Sequence, residues 1–204
     1  MKPKFVLLFL FLVVFSSSVM AQFQPGNLML GGSVSISNGA TFQEGNMTST
    51  GFSSSFNPSV AYFISESSAF GISPGIGFST QQAYRDGESF GDRQYNSNGA
   101  ISLFYRKYYR LAEQIYFFFE PSTSYSGSNW GDIGSRGFTV EISPGVAFRI
   151  SEKWLVETSF GGARFSRHFH DSGQPNEVNT RNWNLNFTNF GSVRLQFLLQ
   201  SQKQ

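Results

Sequence analysis

The chain has 204 residues, with 15 Lys and Arg against 13 Asp and Glu, and a slightly polar mean hydropathy of −0.20. It contains no cysteine, which excludes a disulfide frame and any thiolate metal site, and it carries no basic stripe of the kind nucleic acid requires. Beyond the first 21 residues, most of its 24 Phe, 8 Tyr and 3 Trp stand singly among Ser, Gly, Asn and Thr, without the runs of Leu, Val and Ile that would bury them in a soluble core.

In chain order, the first element is a leader. Lys2 and Lys4 form a basic start, Phe5 to Phe15 is an unbroken apolar run, and Ser16, Ser17 and Ser18 lead into the small-x-small site Val19-Met20-Ala21. That order predicts a secretory signal peptide over residues 1–21 and one mature domain over 22–204, starting at Gln22. The apolar run of 11 residues falls short of the roughly 20 that a spanning helix needs. With Lys2 and Lys4 removed, the remaining 13 Lys and Arg balance the 13 Asp and Glu.

Eight segments of period two follow. Leu28, Leu30, Gly32, Val34 and Ile36 alternate with Met29, Gly31, Ser33, Ser35 and Ser37; Phe52, Phe56, Pro58, Val60, Tyr62 and Ile64 share one face of a second segment. Phe70, Ile72, Pro74, Ile76 and Phe78 alternate with only Gly and Ser. Ile101, Leu103 and Tyr105 mark the fourth, and Ile115, Phe117, Phe119, Pro121, Thr123 and Tyr125 the fifth, where Tyr116 and Phe118 make both faces apolar at the start. The sixth, Phe138 to Ile150, is the cleanest: Phe138, Val140, Ile142, Pro144, Val146, Phe148 and Ile150 on one face, with Glu141 and Arg149 on the other. A helix would scatter these positions around its circumference. Trp154, Val156, Thr158, Phe160 and Gly162 mark the seventh, and Leu185, Phe187, Val193, Leu195 and Phe197 the eighth.

Connections alternate in length. Short ones fall around Ser65–Ser68, Arg110–Gln114 and Ser151–Lys153, and long polar ones around Asn38–Ser49, Gln82–Arg93, Gly127–Arg136 and His168–Asn182. Short turns at one end and long loops at the other are the pattern of a membrane barrel. In hydrocarbon only helices and closed barrels satisfy their backbone. The predicted fold is therefore all-β, an eight-stranded antiparallel up-and-down transmembrane β-barrel in an outer membrane, with both chain ends on the short-turn side.

The inward face must then be small or mutually paired, because eight strands enclose a space that side chains fill. Gly71, Ser73, Gly75, Gly77 and Ser79 meet the first condition, and Arg106, Arg149 and Arg194 against Glu120, Glu141 and Glu157 meet the second. Pairing is expected between Arg106 and Glu120 and between Arg149 and Glu157. Lys107 and Arg164 fall on the outward parity near strand ends, where they can reach headgroups. Tyr62, Tyr105, Tyr109 and Trp154 are expected to girdle the short-turn end, and Tyr125, Trp130, Phe138 and Trp183 the other. Pro58, Pro74, Pro121 and Pro144 share outward parity at similar heights, and a missing N–H at each predicts a layer of bulges or absent ladder bonds.

The segments Pro58-Ser59-Val60-Ala61-Tyr62-Phe63-Ile64-Ser65, Ser73-Pro74-Gly75-Ile76-Gly77-Phe78 and Ser143-Pro144-Gly145-Val146-Ala147-Phe148-Arg149-Ile150-Ser151 echo one another, and Tyr105-Arg106-Lys107-Tyr108-Tyr109 precedes a short turn. Together they resemble the outer-membrane β-barrel domain family, the porin-family group similar in architecture to OmpA- and OmpX-type eight-stranded barrels, over roughly Gly26 to Leu199. The resemblance implies no catalytic residue, cofactor or metal. The expected role is that of a structural, adhesive or loop-presenting protein of a Gram-negative envelope, with a narrow porin-like channel for small solutes, or an outer-membrane enzyme centred on the His168 loop, as alternatives. Its partners would be outer-membrane lipids, lipopolysaccharide and, during biogenesis, the barrel assembly machinery; a surface partner is not identified. Such barrels often end on an aromatic residue, and here Phe197 is followed by Leu198-Leu199 and a polar tail to Gln204. His168 and His170 lie beside Asp171 on one side of a strand, a spacing that suits metal, but no third ligand is identifiable and an exposed loop accounts for them equally.

Overall fold

Alternation of apolar with small polar residues separates the two kinds only if the chain is extended, with successive side chains on opposite faces. The computed structural model describes residues 23–43, 46–85, 88–130, 133–171, 178–186 and 193–199, and over them the chain forms one antiparallel sheet. Its strands are β1 (Leu28–Gln43), β2 (Asn46–Ser65), β3 (Ser68–Arg85), β4 (Glu88–Arg110), β5 (Ile115–Trp130), β6 (Ile133–Arg149), β7 (Trp154–Ser159), β8 (Gly162–Asp171), β9 (Val178–Asn186) and β10 (Val193–Leu199). The leader at 1–21 lies outside the described residues.

Strands β1 to β6 pair in sequence order, β6 pairs with β7, β7 with β10, and β10 returns to β1 through Leu28↔Leu199 to Gly32↔Leu195. The ring thus closes on eight strands, as the alternation predicts. β8 stays on β6 and β9 on β8, so the last two staves are each built from two pieces. The predicted faces hold: Phe138, Val140, Ile142 and Phe148 are exposed while Ser143, Gly145 and Ala147 between them are buried. A Cβ at Gly71 would strike the ring of Phe104, and one at Gly145 the ring of Phe118. Those glycines are absent side chains, leaving room for large inward neighbours.

The four long connections are mostly strand. β1 and β2 pair out to Gln43↔Asn46, β3 and β4 to Arg85↔Glu88, β5 and β6 to Trp130↔Ile133, and β8 and β9 to His170↔Val178. The sequence reading stopped these strands too early because, above the apolar band, both faces are polar and period two vanishes from the sequence while the backbone ladder continues.

Each proline does break a ladder. β2–β3 pairing is interrupted between Phe56↔Ile76 and Val60↔Ile72, where Pro58 and Pro74 face each other and neither has an N–H to give. The Ser73 hydroxyl donates instead to the Pro58 carbonyl at 2.7 Å. β4–β5 pairing is interrupted between Phe104↔Ser122 and Lys107↔Phe119, beside Pro121. Pro144 lies at the break between β7 and β8, where the Phe160 N–H donates to its carbonyl at 2.9 Å.

That last break overturns one assignment. From Gly145↔Ser159 to Ile142↔Ala163, three steps on β6 face four on its partner, a bulge turned at Gly161, whose φ of +59° is left-handed. One extra residue inverts all that follows. Arg164 therefore points inward rather than outward, and its Nη2 lies 2.6 Å from Glu141 Oε2.

Filling a lumen glycine should cost stability where filling an exposed one does not. Gly145→Leu, aimed at the Phe118 ring, is expected to destabilise the barrel by about 1–3 kcal/mol, read as a lower urea midpoint in vesicles. Gly39→Leu, with open space around it, is expected to leave that midpoint unchanged.

Candidate functional site

The inside of the ring is layered, and the layers follow from which residues each strand turns inward. At the short-turn end lies an aromatic floor. Gly26, at φ +93°, turns the segment before β1; its N–H donates to the Phe63 carbonyl, and the Phe63 N–H to the Asn27 carbonyl, both at 2.9 Å. This carries Phe23 under the barrel, its ring 4.5 Å from Phe63, 4.9 Å from Tyr108 and 5.2 Å from Tyr116. Met29, Phe118, Leu155 and Leu198 complete a buried cluster.

Directly on this floor sits the ionic layer. Arg106, Glu157 and Gln196 are 0% exposed. Arg106 Nη1 donates to Glu157 Oε1 at 2.8 Å and Oε2 at 2.7 Å and to the Tyr108 hydroxyl at 3.0 Å. Its Nε donates to Glu120 Oε2 at 2.6 Å, and Nη2 donates to the same oxygen. Tyr108 passes its own hydroxyl proton to Glu157 Oε1 at 2.7 Å, and Gln196 Nε2 donates to Oε2 at 3.1 Å. Arg194 Nη1 holds Glu120 Oε1 at 3.0 Å. The guanidinium of Arg106 also lies 5.1 Å from the ring of Phe104 and 5.0 Å from that of Phe118, so its faces meet π-clouds while its edges meet carboxylates. Two arginines and two glutamates leave no net charge, the condition under which buried ions persist.

The expected Arg106–Glu120 pair is therefore present, and the expected Arg149–Glu157 pair is not. Arg149 donates to the Ser151 and Glu152 carbonyls at the short turn. It stands too close to that turn, whereas Glu157 is met by Arg106 from across the ring and by Arg194 from the next strand, directly opposite it in the β7–β10 ladder. Lys107 does point outward and reaches the Ser67 hydroxyl at 2.6 Å. Sequence reasoning missed the floor. The signal was present in Tyr116 and Phe118, whose inward apolar side chains made the start of β5 ambiguous.

Above the ions, small polar groups line much of the lumen. Ser35 meets Ser55 at 2.8 Å and Ser37 meets Ser53 at 2.7 Å, while Ser122, Ser124 and Ser126 are half-buried on the facing wall. The fully buried side chains Arg106, Glu157 and Gln196 lie in the short-turn half, and Glu141 pairs with Arg164 higher up. His168 turns inward and packs over Gly137; the side chains of His170, Asp171 and Trp130 lie outside the described residues. Among the described residues, no group of three His, Cys, Asp or Glu could hold a metal.

Comparison with known proteins follows this geometry. A family model described as Outer membrane protein beta-barrel domain matches residues 7–188. No curated protein matches the chain in sequence. Among solved structures, the chain is similar to the translocator domain of autotransporter NalP from Neisseria meningitidis, at 14% identity and a TM-score of 0.41 over 80% of this chain. It spans 61% of that structure's length.

Removing Arg106 would strand Glu157 in the interior. Arg106→Met is expected to destabilise the barrel by about 3–5 kcal/mol, measured by urea unfolding in vesicles. Arg149→Met, at the rim, is expected to change stability by less than about 0.5 kcal/mol.

Proposed function

The chain belongs to the outer membrane protein beta-barrel domain family and is a protein of the cell outer membrane, and from that premise we propose that it is a non-enzymatic barrel whose working parts are its four hairpins. Its short turns would face the periplasm and its hairpins the outside, the usual orientation of such barrels. The leader over residues 1–21 would direct export across the inner membrane of a Gram-negative cell, and the barrel assembly machinery would then insert the chain.

The observation that carries this reading is the floor. Among the described residues, Arg106 and Glu157 at 0% exposure, packed on the rings of Phe23, Phe63 and Tyr108, fill the lumen at this level and oppose passage of a solute. Meanwhile β4 alone runs 23 residues, Glu88–Arg110, about twice the 9–11 that a tilted strand needs to span. The excess stands clear of the bilayer and supports a role in adhesion, partner contact or mechanical presence at the surface. A narrow channel is the reading this floor opposes.

In planar bilayers the purified protein is expected to give no steady conductance, and an epitope inserted between Arg85 and Glu88 is expected to bind antibody on intact cells. Reproducible ohmic openings would revive the channel. A changed lipid profile in cells carrying His168→Ala with His170→Ala would instead revive an enzyme centred on that hairpin.

A further inference from the structure

The outward face of β6, β8 and β9 departs from the rest of the wall. Register places Ile142, Ala163 and Leu185 in one row and Val140, Phe165 and Trp183 in the next, then Phe138, Arg167 and Arg181, then Arg136, Phe169 and Asn179 towards the hairpin tip. Two apolar rows thus end abruptly in two rows holding three arginines.

Arg167 and Arg181 are directly opposite each other on β8 and β9, a cross-strand pairing of like charges that is unfavourable unless something neutralises it. Among the described side chains of outward parity on these three strands there is no carboxylate. The tip of β3–β4 is different: Arg85 faces Glu88 across the ladder, and Arg93 follows Asp92. Among the described side chains, the excess of positive charge therefore belongs to this face and is not shared by the β3–β4 tip.

Arg167 is also held in place. Its Nε donates to Asn179 Oδ1 at 3.1 Å, and its guanidinium lies 4.7 Å from the centre of the Phe169 ring. Arg136 and Arg181 are exposed beside it. Immediately below, the Phe165 and Trp183 rings meet at 4.7 Å, and Trp183 and Leu185 are 83% and 73% exposed. A guanidinium cluster suits phosphate oxygens, which accept its paired N–H groups. Exposed aromatic and aliphatic side chains suit acyl chains, and aromatic rings collect at the level of headgroups.

We propose that this face binds the phosphorylated headgroup of an outer-leaflet glycolipid, with Arg136, Arg167 and Arg181 on its phosphates and Trp183 and Leu185 against its acyl chains. The site stands on the outer-membrane placement and not on the role assigned to the hairpins, so either can fail without the other.

The test uses the full chain in detergent micelles, presented with bisphosphorylated lipid A or with the same lipid enzymatically dephosphorylated, and retained lipid is counted by native mass spectrometry. The wild-type barrel is expected to hold the phosphorylated lipid about tenfold more tightly, with no displacement by an equal concentration of inorganic phosphate. That preference should vanish in the Arg136→Gln, Arg167→Gln, Arg181→Gln protein and persist in an Arg85→Gln, Arg93→Gln control, folding of each being checked by heat-modifiable gel migration. Equal retention of the two lipids by the wild-type barrel overturns the proposal, whether or not the variants fold. Displacement by inorganic phosphate overturns it in favour of a free-anion site.

Discussion

A wall of alternating side chains closes on itself only if what it turns inward fits the space and carries no unmatched charge, and Arg106 is where both conditions meet. Its guanidinium joins Glu120 of β5 to Glu157 of β7, with Tyr108 and Gln196 completing the bonds. The bonds from Arg106 and Tyr108 to Glu157 cross the lumen and link β4 to β7, which no ladder joins directly. The layer needs space, which Gly31, Gly71 and Gly145 provide by placing hydrogen where a Cβ would strike Gln196, Phe104 and Phe118. It also needs dryness, which the floor beneath it supplies. Buried ion pairs often add little net stability over apolar residues of the same shape. The observed register is one that brings these four charges together.

Much of this was legible in the residues. Strict period two from Phe138 to Ile150 identified the strand and its faces, because membrane on one side and a crowded lumen on the other constrain every position between. The prolines announced broken ladders, and Pro58 and Pro74 prove to face each other across one. What escaped notice lay where one of those constraints lapses. A single bulged residue near Gly161 inverted β8 and brought Arg164 inward to Glu141; alternation has no memory across such an insertion. Phe23 precedes the first strand, outside any periodic pattern, so its place beneath the barrel depends on contacts distant in sequence. The hairpins looked like loops because a strand wet on both faces has no reason to alternate.

The same vertical order connects fold to function. Among the described residues, aromatic rings pack the short-turn end, a neutral ionic layer lies above them, and hydroxyl groups line the lumen towards the long hairpins. Outside, the apolar band gives way on β6, β8 and β9 to three arginines. This order is what the proposed role at the outer rim rests on.

The central claim is that the apolar face meets acyl chains while the small and ion-paired face fills the lumen. Because the chain has no cysteine, a spin-label scan through β6 tests it directly: single substitutions Phe138→Cys, Thr139→Cys, Val140→Cys, Glu141→Cys and Ile142→Cys, each labelled and reconstituted in vesicles. Collision with oxygen dissolved in the acyl chains should be high at 138, 140 and 142 and low at 139 and 141. The opposite alternation, or no alternation, would contradict the account.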